Sequence, residues 1–146
     1  MPGRHLEIMR AALLHTDLPF FGLATGQARA EDCVAMARLV HGPFMDDHAV
    51  MACHISGNSP LVWDATMLEG LRVNAKAGQV VLLSPFVLGA ENTPADVAAT
   101  VAQLNAEALA GLACAQLVRP GTRVIHGQYT VSVLMKPGRP MSGMPE

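Results

Sequence analysis

Charge is scarce in this sequence. Only 15% of the residues are charged, and 10 Lys and Arg against 12 Asp and Glu leave a formal net charge of −2. Proteins that bind nucleic acids or anionic membranes through electrostatics present a strongly basic surface. The composition offers no such basic excess, so we expect no nucleic-acid partner and no membrane partner.

Paired or clustered cysteines are also missing. Cys33, Cys53 and Cys114 are an odd number and form no C-x-x-C spacing of the kind that zinc sites use. No apolar segment follows a basic amino terminus, as it would in a signal peptide. We therefore expect free thiols, a reducing cytoplasmic location and no bound metal.

A lipid-compatible segment is absent as well. The longest apolar stretch, residues 97–118, contains Gln103, Asn105, Glu107 and Gln116. Together these polar groups would be expensive in a bilayer, so we expect no membrane span. A helix here would have no charged face, so it must be covered on most sides by other structure. We expect much of that cover to lie outside these 146 residues.

What the sequence does have is an alternation of helical and strand patterns, without a fixed repeat or a low-complexity linker. Helical periodicity and turn residues predict where the helices lie, and short apolar runs predict where the strands lie. The predicted helices are residues 5–15, 30–40, 64–77 and 93–117, and the predicted strands are residues 20–24, 49–55, 80–83 and 123–127.

Strands that are apolar on both faces and separated by helices indicate a parallel sheet covered by helices. An open doubly wound sheet and half of an eight-fold β/α barrel both fit this order. No G-x-G-x-x-G follows a strand, which disfavours dinucleotide binding. The prediction is an α/β fold: a partial (β/α)8 TIM barrel of four β/α units with parallel strands, as one domain over residues 1–146.

Short identities spread over almost the whole chain resemble one family. They are 15–20, Ser59-Pro60-Leu61, Gly89-Ala90, Pro94, Asn105-Ala106-Glu107, Leu109-Ala110-Gly111, 116–121, Gly127 and Gly143-x-Pro145-Glu146. In this pattern the chain is similar to the central block of the trimethylamine methyltransferase family. Residues 89–94 depart from the family's Gly-Ala-Thr-Ala-Pro by one extra residue and an added acid, Glu91.

The resemblance implies a β/α barrel that moves a methyl group from a methylated amine to the cobalt of a partner corrinoid protein. The substrate would be a tertiary amine or a betaine. Family members are much longer than this chain, so it resembles an internal slice that we expect to be inactive alone. The trimethylamine-specific members use pyrrolysine, whose position we expect beyond Glu146.

Two aromatic residues are candidates for binding such an amine. A quaternary ammonium needs a pocket that tolerates positive charge without strong hydrogen bonds, which aromatic faces provide. Phe86 follows the third predicted strand and Tyr129 follows the fourth, where the active-site loops of a barrel lie. In the alternative interpretation Phe86 packs in the core and Tyr129 lies on the surface.

Glu107 is a carboxylate among alanines and leucines in the middle of the last helix. If buried, it needs a partner, and Gln103 one turn earlier can donate a hydrogen bond. Glu107 either polarises a residue at the active-site rim or balances a cationic substrate, or else it anchors the backbone of a loop or faces a neighbouring helix. Active-site groups of barrels come from strand ends, which favours the anchoring role.

Two histidines end predicted strands. His126, at the end of the fourth, is a candidate for handling a proton or orienting substrate, with a core histidine as the alternative. A zinc site formed by Cys53 or His54 with His126 is a further alternative. Cys53 and His54 are adjacent in a strand, however, so they point to opposite faces.

The polar loop after the second strand supplies another candidate. Asn58 is placed to orient a carboxylate-bearing substrate such as a betaine, or else Asn58 and Ser59 cap the next helix. Arg119 directly precedes Pro120-Gly121. We interpret it as a cation at a helix carboxyl end, not as a substrate clamp.

Two functional classes follow. The first is an amine methyltransferase fragment that works with a small methylated amine and a corrinoid protein. The second is a non-catalytic barrel remnant that acts only as a homo-oligomer or with a complementing barrel half, because a half barrel leaves exposed strand edges. A zinc-dependent hydrolase is a distant third alternative.

Overall fold

Helices and strands alternate along the chain. The computed structural model describes residues 3–22, 26–134 and 139–141. Its elements are α1 (Arg4–His15), β1 (Phe20–Gly22), α2 (Gln27–His41), α3 (Phe44–Asp47), β2 (Met51–Ile55), α4 (Ala65–Lys76), β3 (Val80–Leu83), β4 (Phe86–Gly89), α5 (Val97–Val118), β5 (Val124–His126), β6 (Tyr129–Leu134) and β7 (Arg139–Met141).

The four predicted helices are confirmed as α1, α2, α4 and α5, with shifted ends. Aspartates mark two of the starts. The Asp64 carboxylate accepts a hydrogen bond from Met67 N, and the Asp96 carboxylate accepts one from Ala99 N. Both are N-caps, because a side-chain oxygen satisfies an otherwise unpaired amide of the first turn. Helix α5 therefore begins after Asp96. The sequence pattern predicts a start at residue 93, which is too early.

The four predicted strands are confirmed as β1, β2, β3 and β5, and they form one parallel sheet in the order β1-β2-β3-β5. Strand order thus follows chain order, with a helix in each connection, as in successive β/α units. Residues 23 and 24, which were predicted to extend the first strand, lie outside the described residues. The α/β class and the parallel arrangement are confirmed.

One face of this sheet carries the helices. Every second residue of β2 and β3 is buried beneath them, including Cys53, Ile55, Val81 and Leu83. This alternation has the period of two that strands impose. Two core clusters result: Cys53, Ile55, Leu71, Ala75, Val81, Leu83 and Ala115 form one, and Met9, Cys33, Ala37, Met45, Val50 and Met51 form the other.

The opposite face of the sheet is open. Phe21 is 63% exposed, Ile125 is 48% exposed and His54 is also exposed, although these side chains belong to paired strands. The register places His54 beside Leu82, and Leu82 beside Ile125. The described chain thus covers its parallel sheet on one face and leaves an apolar second face in solvent.

A second sheet was not predicted. Strands β4 and β6 pair in parallel, and β7 pairs with β6 in the antiparallel sense. The prediction of four parallel strands is therefore incomplete, because Pro85 and Gly89 in residues 84–92 indicate a loop and a turn. The missed signal is a short one: after Pro85, exposed Phe86 and buried Val87 alternate as they do in a half-buried strand.

Helix α5 has the length and apolar composition of a membrane span, but its contacts are those of a helix packed on a sheet. It packs against β3, β4, β5 and α4. Its outer side remains uncovered, with Val97 52% and Leu117 86% exposed. Val97 and Leu117 thus lack cover from the described residues, and the expectation that much of the cover lies outside these 146 residues stays a prediction.

Candidate functional site

The candidate residues gather at the carboxyl edge, which we define as the end of the β1-β2-β3-β5 sheet where the strands finish. The β2 loop, residues 56–63, follows β2, while β4 follows β3 and β6 follows β5. Side chains at this edge of a parallel sheet are the ones that form active sites in β/α folds.

Phe86 and Tyr129 form a stacked pair. They are register partners at the start of β4 and β6, and Tyr129 N donates a hydrogen bond to Pro85 O at 3.1 Å. The two ring centroids lie 5.2 Å apart with 26° between the ring planes. Phe86 is 42% and Tyr129 54% exposed. The alternative that Phe86 packs in the core is wrong, whereas the surface position of Tyr129 is confirmed.

Glu107, on α5, anchors the β2 loop through hydrogen bonds. Glu107 is 3% exposed, and its carboxylate accepts hydrogen bonds from Ser59 Oγ at 2.5 Å and from Leu61 N at 2.9 Å. Gln103 Nε2 donates a third bond at 3.0 Å, as the sequence spacing predicted. Three donors around one buried carboxylate match the requirement for satisfying buried polar groups. The geometry therefore favours the anchoring interpretation of Glu107.

Trp63 completes this anchor and was not singled out from the sequence. Its indole Nε1 donates to Glu107 O at 3.2 Å. Its ring lies against Gly111, where an added Cβ would be 2.7 Å from Trp63 Cζ2 and 3.1 Å from Leu83 Cδ2. The signal was the only tryptophan of the sequence, placed at the end of a polar loop.

Asn58 lies in the β2 loop with an exposed side chain, and its backbone N donates to Val62 O at 2.7 Å. The alternative in which Asn58 and Ser59 cap the next helix is wrong, because Asp64 caps α4 and Ser59 bonds to Glu107. The Asn58 side chain is thus presented at the carboxyl edge by a loop that is fixed at both ends.

His126 is exposed at the end of β5, beside Leu83 in the register, so the core alternative is wrong for its side chain. Cys53 and His54 do point to opposite faces, the thiol buried and the imidazole exposed. Burial raises the pKa of the Cys53 thiol to about 12, which disfavours the thiolate that zinc needs. Within residues 3–22, 26–134 and 139–141, no three His, Cys, Asp or Glu side chains come together as a metal site.

Comparison with known proteins decides the family. The sequence profile described as trimethylamine methyltransferase (MTTB) matches residues 1–146. The chain belongs to the trimethylamine methyltransferase family.

Three relatives illustrate this membership. A glycine betaine methyltransferase of Desulfitobacterium hafniense is 36% identical over 145 residues, which are 98% of this chain and 30% of the relative. Trimethylamine methyltransferase MttB1 of Methanosarcina acetivorans is 33% identical over 60% of this chain and 18% of its own length. A proline betaine:corrinoid methyltransferase of Eubacterium limosum is 28% identical over 83% of this chain and 25% of its own length. The chain therefore spans less than a third of these relatives.

Several residues that carried the resemblance to the trimethylamine methyltransferase family lie around the β2 loop anchor. Ser59 and Leu61 donate to the carboxylate of Glu107, and Gly111 leaves the space that Trp63 fills. The closing residues 143–146 lie outside the described residues. The resemblance thus rests in part on residues that fix one loop of the carboxyl edge.

The amino edge, the opposite end of the sheet, has different features. Arg119 caps the carboxyl end of α5, and its Nη1 lies 3.4 Å from Lys76 O at the last turn of α4. A cation at helix carboxyl ends is what the sequence predicted. A cavity of about 470 Å³ also opens here, where Phe44 stacks on His48 at 4.0 Å. This end lies across the length of the strands from the candidate residues.

Proposed function

We propose that this chain is the central part of the β/α barrel of a methyltransferase. The complete enzyme would transfer a methyl group from a methylated amine, either a tertiary amine or a betaine, to the cobalt of a corrinoid protein. Membership of the trimethylamine methyltransferase family supports the reaction class. The names of the glycine betaine and proline betaine relatives support a betaine-like substrate.

The parallel sheet supports the barrel. Its four strands follow chain order, and β1 and β5 are its two edges. Phe21 and Ile125 on the open face would line the interior of a closed barrel, which is filled by apolar side chains from its strands. We propose that residues 1–146 form one domain, and that further β/α units of the complete enzyme close this sheet.

The observation that carries the substrate assignment is the exposed Phe86 and Tyr129 pair at the carboxyl edge. Aromatic faces attract a methylated ammonium through their quadrupole and form no hydrogen bond that would hold it back. Asn58 and His126 would orient the carboxylate of a betaine from the same edge, because both side chains are exposed there. Glu107 would act on the substrate through the β2 loop.

The described residues are suited to binding the amine substrate and not to holding the cobalt. They contain an aromatic surface for the amine but no cluster of metal ligands. When bound by its partner, the corrinoid supplies a nucleophilic cobalt that takes the methyl group, while the electron pair of the N–CH3 bond stays on the amine. This chain would position the amine and exclude water from it.

Aromatic substitutions test the assignment. We expect glycine betaine to perturb the ring resonances of Phe86 and Tyr129 in NMR titrations of the chain. Phe86→Ala and Tyr129→Ala should each weaken binding roughly two- to fivefold, the factor that an exposed cation–π contact of about 0.5–1 kcal/mol represents.

Phe44→Ala is the matched control for these substitutions. Phe44 is also an exposed aromatic in a stacked pair, but it lies at the amino edge. Its loss should leave the affinity for glycine betaine unchanged. An affinity for glycine betaine that is unchanged in both Phe86→Ala and Tyr129→Ala, or that falls equally in Phe44→Ala, would contradict the assignment.

The open face of the sheet also favours the second candidate function. A non-catalytic barrel remnant would bury Phe21 and Ile125 against a second copy of the chain or against a complementing barrel half. This candidate predicts association without methyl transfer. Methyl transfer by a chimera of this chain with a longer relative separates the two candidates.

A further inference from the structure

Gln103 lies between two segments of the carboxyl edge. Its side-chain Nε2 donates to Glu107 Oε1 at 3.0 Å and to Asn92 O at 3.3 Å. Glu107 belongs to the anchor of the β2 loop, whereas Asn92 belongs to the β4 turn, residues 90–93. The side-chain amide of Gln103 on α5 therefore hydrogen-bonds both to the carboxylate that anchors the β2 loop and to the backbone of the β4 turn.

The β4 turn is itself closed around Asn92. The side-chain Oδ1 of Asn92 accepts from Leu88 N at 2.7 Å, and its backbone N donates to Leu88 O at 3.1 Å. Leu88 lies in the strand that begins with Phe86. A displacement of Asn92 O therefore moves the end of the strand whose first residue is in the aromatic pair.

The β2 loop is held just as directly. Glu107 Oε1 accepts from both Leu61 N and Gln103 Nε2, while Oε2 accepts from Ser59 Oγ. The carboxylate is almost fully buried, so it has little water to replace a lost donor. Gln103 and the β2 loop thus share one acceptor atom.

We propose that Gln103 and Glu107 are positioning residues that hold the β2 loop and the β4 turn in one fixed relation. Neither residue needs to touch the substrate. They set the distance between Asn58 on the loop and Phe86 at the start of β4, and this consequence for binding rests on the proposed function. Loops that carry binding residues gain precision when a rigid element supports them.

Gln103→Met tests the proposal, because methionine keeps the length and the helix propensity but removes the amide donor. We expect amide hydrogen exchange in the chain, measured by NMR, to rise about fivefold at Leu61 and also at Leu88 and Asn92. That factor corresponds to the loss of one net hydrogen bond from a local opening.

The chain offers a matched control on the same helix. Gln116 also uses its side-chain amide to hold a loop, because its Nε2 donates to Thr122 O and its Oε1 accepts from Gly121 N. Gln116→Met should raise exchange near Thr122 at the amino edge and leave Leu61 and Asn92 unchanged. Faster exchange in only one of the two segments after Gln103→Met would overturn the proposal. It would also be overturned if Gln116→Met raised exchange at Leu61 and Asn92 as much as Gln103→Met does.

Ligand affinity gives the second readout. Gln103→Met should weaken the binding of glycine betaine about as much as Tyr129→Ala does, while Gln116→Met should not change it. Unchanged affinity in Gln103→Met would overturn the positioning role if the unsubstituted chain binds. If the unsubstituted chain does not bind glycine betaine, the proposed function fails, and the exchange comparison, which uses no ligand, still decides whether the segments are coupled.

Discussion

Gly111→Val is expected to destabilise the chain by about 3 kcal/mol, because overpacking of a filled site typically costs roughly 1–3 kcal/mol and even the added Cβ meets a rigid ring. An added Cβ alone would lie 2.7 Å from Trp63 Cζ2 and 3.0 Å from Trp63 Cη2. The ring has little room to retreat, since its Nε1 is bonded to Glu107 O on the same helix. Urea unfolding monitored by Trp63 fluorescence measures the loss, and Trp63 is the only tryptophan.

Ala110→Val is the matched control for this substitution. Ala110 precedes Gly111 on α5, but its side chain is exposed. Valine there should cost only the few tenths of a kcal/mol by which its helix propensity falls below that of alanine. If the two valine variants unfold at the same urea concentration, the close packing of Trp63 against α5 is not what holds the end of the β2 loop.

Glu107→Ala is expected to destabilise the chain by about 3 kcal/mol as well. The substitution removes the acceptor of three hydrogen bonds, and bonds to a charged group contribute roughly 1.5–3 kcal/mol each before the relief of carboxylate desolvation is subtracted. Leu61 N and Gln103 Nε2 would both lose an acceptor. Hydrogen exchange at Leu61 and the urea midpoint measure the local and the global effect.

Glu69→Ala controls for the loss of a helical carboxylate. Glu69 on α4 also accepts from a backbone amide of another element, Gln27 N at 3.2 Å, but this contact is exposed. Its removal should cost less than about 1 kcal/mol. Glu107→Gln, which keeps an acceptor oxygen, should fall between the two. A loss in Glu107→Ala no larger than that in Glu69→Ala would contradict the anchoring role.

The sequence predicted the helices and strands that follow from one local pattern of apolar residues. Apolar runs separated by helical periodicity predicted β1, β2, β3 and β5 and their parallel pairing, which the structure confirms. The scarcity of charge in residues 93–117, which contain only Asp96 and Glu107, predicted a helix that needs cover on most sides. The helix is confirmed as α5, although it begins at Val97 and not at residue 93, and the spacing of Gln103 and Glu107 predicted the hydrogen bond between them.

Prediction was poorer where two segments distant in sequence had to meet. The pairing of Phe86 with Tyr129 depends on β4 and β6, and the short apolar alternation after Pro85 resembles a loop as much as a strand. Contact between Trp63 and Gly111 joins residues of different elements, which periodicity does not report. The roles of Asn58 and His126 in substrate binding remain predictions.

The most direct test replaces the aligned segment of the Desulfitobacterium hafniense glycine betaine methyltransferase with this chain. The alignment covers 145 residues at 36% identity, so the rest of the relative would supply the missing β/α units. Methylation of a reduced corrinoid protein by glycine betaine, followed by absorbance, is the measurement. We expect transfer by the folded chimera, weaker transfer after Tyr129→Ala, and none by the 146-residue chain alone. A folded chimera without transfer, or turnover by the isolated chain, would contradict the account.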